Sequence, residues 1–108
     1  MSNKIDEIVT ELITSLKTEF KDFKGLYLFG LYLDGKMHDD EDIEFVAIFD
    51  NEQDKSQREH IWRVVGSVEE KFDIFIDLHP LTIKEFKKDA DLYEEVTETG
   101  IFFNKNSF

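Results

Sequence analysis

Three acidic side chains carry the chemistry this sequence could do. Asp42 and Glu44 lie in DIEFVAIFD, and Asp77 lies in FDIFIDLHPL. Alternate residues of a β-strand point to one face, so Asp42 and Glu44 become neighbours if the run is extended. Adjacent carboxylates repel, and an apolar strand is a costly place for a charge, so their presence calls for an offsetting interaction. A divalent cation supplies one, because hard ions such as Mg2+ are held by carboxylate oxygens. Such a site points to phosphoryl transfer. His79 shares a strand face with Asp77 and could accept a proton; beside Pro80 it reads more simply as a strand end. The run His38-Asp39-Asp40-Glu41 reads as solvated charge.

These residues need elements to position them. Ile5, Ile8, Val9, Leu12, Ile13, Leu16 and Phe20 recur at spacings of three and four, which predicts an amphipathic helix from Lys4 to Phe20, capped by Asn3. After Gly25, LYLFG reads as a short buried strand. Leu31 to Glu41 reads as a turn or short helix followed by a loop. Ile43 to Phe49 is nearly continuous in apolar residues after Glu44 and suits a central strand.

A turn at Asn51–Asp54 leads into a helix from Asp54 to Lys71, with Ile61, Trp62, Val65 and Val68 expected on its buried face and Gly66 permitting close packing. Asp73 to His79 alternates, Ile74, Ile76 and Leu78 facing one way and Asp73, Phe75, Asp77 and His79 the other. Pro80, which cannot donate to a ladder, is expected to end that strand, and Asp73 at its rim to be solvated. Thr82 with Glu85 three residues on forms a capping-box pattern. Lys87 and Lys88 read as a surface pair. A last helix, Ala90 to Thr99, closes at Gly100, and Ile101-Phe102-Phe103 follows as a short strand or packed end, core or interface. The order gives one α/β (α+β) domain over residues 1–108, a small mixed sheet packed with helices.

Composition bounds the function. A chain of 108 residues supports one core, and its 11 Phe promise a well-filled one. Trp62 and the Phe-rich strands are expected in that core rather than on a base-stacking surface. A net charge of −12 disfavours nucleic acid and anionic membranes as partners and suits a cation or a basic protein. The absence of cysteine excludes disulfides and zinc thiolates. With no signal-like N-terminus and only short apolar runs, a soluble, cytoplasmic domain is expected.

On these elements, LYLFGLYLDGKMHDDEDIEFVAIFD, followed after a helix by FIDLHPL, resembles the minimal nucleotidyltransferase domains of the DNA polymerase β superfamily. Their pattern is Gly-Ser, ten residues, Asp-x-Asp, then a third acid on a later strand. Gly30 and Leu31 fall at Gly-Ser, ten residues (Tyr32 to Glu41) follow, Asp42-Ile43-Glu44 takes the Asp-x-Asp register, and Asp77 fits the third acid. The C-terminal YEEVTETGIFF is similar to the end of such domains. The resemblance implies that Asp42, Glu44 and Asp77 hold Mg2+, with Asp77 also catalytic at the acceptor hydroxyl. It implies that Gly30, Leu31 and Lys36 meet the phosphates of a nucleoside triphosphate. The reaction would transfer a nucleoside monophosphate to a hydroxyl of a protein or small acceptor.

The pattern is departed from at three positions. Leu31 replaces the serine hydroxyl, Asp34 stands where the family has a basic residue, and Glu44 extends the second carboxylate by one bond of about 1.5 Å. Lys36 could partly compensate for Asp34. The alternative reading is therefore a catalytically degenerate fold that binds a protein partner, as the antitoxin of a toxin–antitoxin pair binds a helical toxin.

Overall fold

The computed structural model describes residues 4–34, 36, 38 and 41–106. Helix α1 (Lys4–Glu19) buries Ile5, Ile8, Val9, Leu12, Ile13 and Leu16, the stripe its spacing predicts. Asn3, the expected cap, lies outside the described residues. Strand β1 (Phe23–Phe29) begins earlier than LYLFG suggests, because Phe23 is itself fully buried. A short 3-10 helix, Gly30–Asp34, leads toward β2 (Ile43–Phe49). Helix α2 (Lys55–Phe72) starts at an Asp54 cap closed by Gln57 in a reciprocal capping box. Then come β3 (Ile76–Leu81), α3 (Ile83–Lys88), α4 (Ala90–Thr99) and β4 (Ile101–Asn104).

The sheet order is β3-β2-β1-β4. β1 runs antiparallel to β2 and to β4, while β2 and β3 are parallel, joined through α2. Period-2 alternation splits the core in two. Toward α1 and α2 point Leu26, Leu28, Phe45, Ala47, Phe49 and Leu78, meeting Leu12, Leu16, Ile61 and Val65. Toward α3 and α4 point Phe29, Val46 and Ile48, meeting Phe86 and Val96. This second cluster is smaller. No helix among the described residues is long and apolar enough to cross a membrane.

Four local expectations are corrected. Trp62 is 46% exposed and is not core. The buried stripe of α2 is the narrower Ile61, Val65, Val68, and Trp62 falls just beside it. Gly66 does not mediate close packing, since a Cβ there would meet nothing within 4 Å. Pro80 does not end β3; it pairs in register with Ala47, and the ladder continues to Leu81 opposite Ile48. β3 is an edge strand, where a missing donor costs least. Asp73 is not a strand residue: at φ 53° it caps α2 in the left-handed region, its N–H donating to the Glu69 carbonyl. The strand starts only at Ile76, whose N–H donates to the Glu69 carboxylate at 2.8 Å. The Thr82–Glu85 capping box and the Gly100 cap of α4 form as expected.

Candidate active site at the open end of the sheet

Glu44 and Asp77 lie on the α3/α4 face of the sheet, beyond its apolar cluster. Glu44 shares that face with Val46 and Ile48 but lies one pleat beyond the apolar cluster, so it is half-buried rather than sealed. In register it faces Phe29 on one side and Asp77 on the other. Parallel pairing thus sets the two carboxylate-bearing residues side by side. Asp42 precedes β2 and is exposed. Asp77 is half-exposed, and its Oδ2 lies 3.5 Å from His79 Nε2.

Gly30 completes this wall. Its φ of +83° is a left-handed conformation that favours glycine. A Cβ built there would run into Glu44 Oε2, so the carboxylate lies directly against the glycine backbone. The positive φ is what favours glycine, and any side chain here would also have to push the end of the Glu44 side chain aside.

The electrostatics follow from this crowding. Burial raises the Glu44 carboxyl above its usual range, and the carboxylates of Asp77, Glu95 and Asp42 raise it further against the opposing His79. Glu95, contributed by α4, is the residue the sequence reading missed. Its only signal was position: it neighbours Val96, the residue that anchors α4 to this sheet face. Among the described residues, no group of three or more His, Asp or Glu side chains is placed to hold a metal by itself. Mg2+ commonly uses one or two carboxylates and completes its shell with phosphate and water oxygens, so the Glu44–Asp77 neighbourhood fits that ion with a nucleotide present.

The segment between β1 and β2 differs from the resemblance's pattern. Leu31 sits in the 3-10 helix with 54% of its surface exposed, offering no hydroxyl. Asp34 is engaged within its own loop: Oδ1 accepts the Lys36 N–H at 2.8 Å, and Oδ2 lies 3.0 Å from His38 Nε2. The Lys36 N–H, and next His38, hold its carboxyl below the usual range. The buried Tyr32 hydroxyl lies 2.6 Å from the His38 carbonyl and 2.7 Å from that of Glu41, sharing its hydrogen between them. Lys36 is exposed on this loop. Asp39 and Asp40 lie outside the described residues.

No family model and no curated protein sequence matches the chain. Solved structures do. A toxin–antitoxin structure with AMP-PNP superposes with a TM-score of 0.66 at 21% identity, over 86% of this chain and 69% of that one. A tri-AMPylated HEPN toxin of Shewanella oneidensis in complex with an MNT antitoxin gives 0.63 at 20%, over 90% and 69%. A candidate nucleotidyltransferase of Sulfolobus solfataricus gives 0.58 at 19%, over 90% and 77%. The chain has the minimal nucleotidyltransferase fold. Within that fold, Gly30, Glu44 and Asp77 meet at one end of the central strands, Asp42 stands at the entrance to β2, and Leu31 and Lys36 lie on the loop between β1 and β2.

Proposed function

We propose that this protein is a nucleotidyltransferase-fold subunit of the antitoxin type, which transfers a nucleoside monophosphate from a nucleoside triphosphate to a hydroxyl of a protein partner in the cytoplasm. The observation that carries the proposal is the register of Glu44 with Asp77 beside Gly30, a crowding of carboxylates that a bound cation would relieve. Asp42, Glu44 and Asp77 are the residues that would hold Mg2+. When bound, the ion would neutralise triphosphate charge and stabilise the oxygens of the displacement. Asp77, with His79 beside it, would accept the proton of the attacking hydroxyl. The backbone at Gly30–Leu31 and the Lys36 ammonium would meet the phosphates. Structural neighbours that pair with a HEPN toxin and one that carries AMP-PNP support this reading. Net charge −12 suits a basic helical partner and disfavours nucleic acid.

A second reading has its own observation. Asp34 spends its carboxylate on closing the loop, and Leu31 projects an apolar side chain where a phosphate would be received. On this reading the chain is a degenerate, partner-binding module. Thermal unfolding with Mg2+ and each nucleoside triphosphate separates the two. The enzyme reading expects stabilisation that disappears in Asp42→Asn and Asp77→Asn. An unchanged transition at millimolar nucleotide would leave only the module.

A further inference from the structure

We infer that the outer flank of α2 is a homodimer interface, on which a second copy of this chain lays its own α2 antiparallel. The core beneath α2 takes Ile61, Val65 and Val68, and α1 takes the flank where His60 and Lys71 approach Glu19 and Glu11. The other flank carries Trp62 and, one turn on, Gly66. Trp62 is 46% exposed, and a Cβ at Gly66 would meet nothing within 4 Å, so a bulky aromatic stands beside open space over bare helix backbone. Within one chain this notch stays unfilled. Tryptophan and arginine are the residues that most often anchor interfaces, and both arginines of the chain, Arg58 and Arg63, lie on α2 around its only tryptophan.

The charges on this flank say which partner fits. Seating Trp62 of each copy over Gly66 of the other is an antiparallel, two-fold pairing. It sets Arg58 opposite Glu70 of the second copy and Lys55 opposite its Asp73, each twice by symmetry, and all four residues are exposed. Arg58 gives one N–H to the Gln53 carbonyl at 2.7 Å, and its guanidinium has further donors for a carboxylate. The same pairing sets Glu59 opposite Glu69, but the Glu69 carboxylate is turned inward, accepting the Ile76 N–H at 2.8 Å. A basic protein, the partner that a net charge of −12 otherwise suits, would meet Lys55 and Arg58 here. Repulsion between two acidic copies is screened beyond about 8 Å at physiological salt, so the pairs in contact decide. The flank belongs to the α1/α2 layer, on the other face of the sheet from Glu44, and so is separate from the acidic site.

The test uses Trp62 itself, whose emission reports the contact because it is the only tryptophan. On dilution of the whole chain from high to low micromolar, emission should shift to the red as sedimentation falls from dimer to monomer, with one shared midpoint. Gly66→Gln fills the notch. Glycine is a poor former of helix interiors, so this variant should unfold at no lower temperature, yet its association should weaken about tenfold or more. Arg58→Glu and Glu70→Arg should each weaken association, and the double variant Arg58→Glu/Glu70→Arg should restore it, since the exchanged pair re-forms between copies. A chain that stays monomeric at high micromolar concentration would overturn the inference and leave this flank to a different protein. A dimer unaffected by Gly66→Gln, or a double variant no better than the single ones, would overturn it equally.

Discussion

Glu44 stands directly across the parallel β2–β3 ladder from Asp77, two carboxylates in cross-strand register. Like charges so placed destabilise a sheet. The half-buried position of Glu44 adds a desolvation cost, and Glu95 adds a third negative charge from α4. The local sequence around Glu44 is otherwise that of a buried strand, so a threonine or valine would serve the fold better. The conflict between fold and charge is what supports the proposal that this end of the sheet is the working end.

The first prediction follows from the sign of that conflict. The folded-state carboxyl of Glu44 lies above its ordinary value of 4.5, so the folded state binds the proton more tightly than the unfolded one. Stability from this group is then greatest below about pH 4.5 and falls as pH rises through the raised value. Glu44→Gln removes the penalty. It should raise the unfolding midpoint at pH 7 by an amount corresponding to no more than about 1 kcal/mol after solvent screening. The gain should shrink as pH falls toward 4. Thermal unfolding of both proteins across that range measures it, and a gain that grows in acid would contradict the assignment.

Gly30→Ala tests the other wall of the site. The positive φ alone costs about 1–2 kcal/mol for a residue with a Cβ. The new methyl also displaces the Glu44 carboxylate. Urea unfolding should show destabilisation of about 2 kcal/mol. In a Glu44→Ala background the contact is gone but the backbone strain stays, so only part of the loss should be recovered. Full recovery would mean that the conformation at Gly30 is not constrained.

Much of this arrangement was legible in the sequence, for physical reasons. β2 keeps the predicted bounds Ile43–Phe49 because a continuous apolar run has no other home. The facing of Glu44 and Asp77 follows from period-2 alternation once both runs are strands of one sheet. Trp62, Pro80 and Glu95 were not legible, because each depends on long-range packing. Trp62 is exposed since α2 needs only a narrow stripe. Pro80 is tolerated since β3 turns out to be the edge. Glu95 reaches the site only because Val96 docks α4 on that face. Asp73 misled because a polar–apolar alternation cannot show where a helix still holds the chain.

Tyr32→Phe should loosen the loop that carries Asp42. The hydroxyl of Tyr32, a residue 2% exposed, serves the carbonyls of His38 and Glu41, and without it the His38 carbonyl keeps only the Glu41 N–H at 3.4 Å. A destabilisation of about 1 kcal/mol is expected. Amide exchange should accelerate at Glu41 and Asp42 more than in α1. Equal acceleration everywhere would show a global effect with no special role for this anchor.

The last prediction concerns the proposed phosphate side. Asp34 opposes an anion by its charge, yet its carboxylate also holds the Lys36 N–H and pairs with His38. Replacing it therefore changes both field and loop order, and the two effects need separate variants. Asp34→Asn keeps an acceptor for the Lys36 N–H while removing the charge. Leu31→Ser restores a hydroxyl on the turn. If repulsion is the main obstacle, Leu31→Ser/Asp34→Asn should strengthen nucleoside triphosphate binding in Mg2+ by about tenfold over the natural chain, measured by calorimetry. If a positive contact is what is missing, the gain should appear only in Leu31→Ser/Asp34→Arg. Gain in neither would place the barrier in Glu44, whose longer side chain is already committed against Gly30.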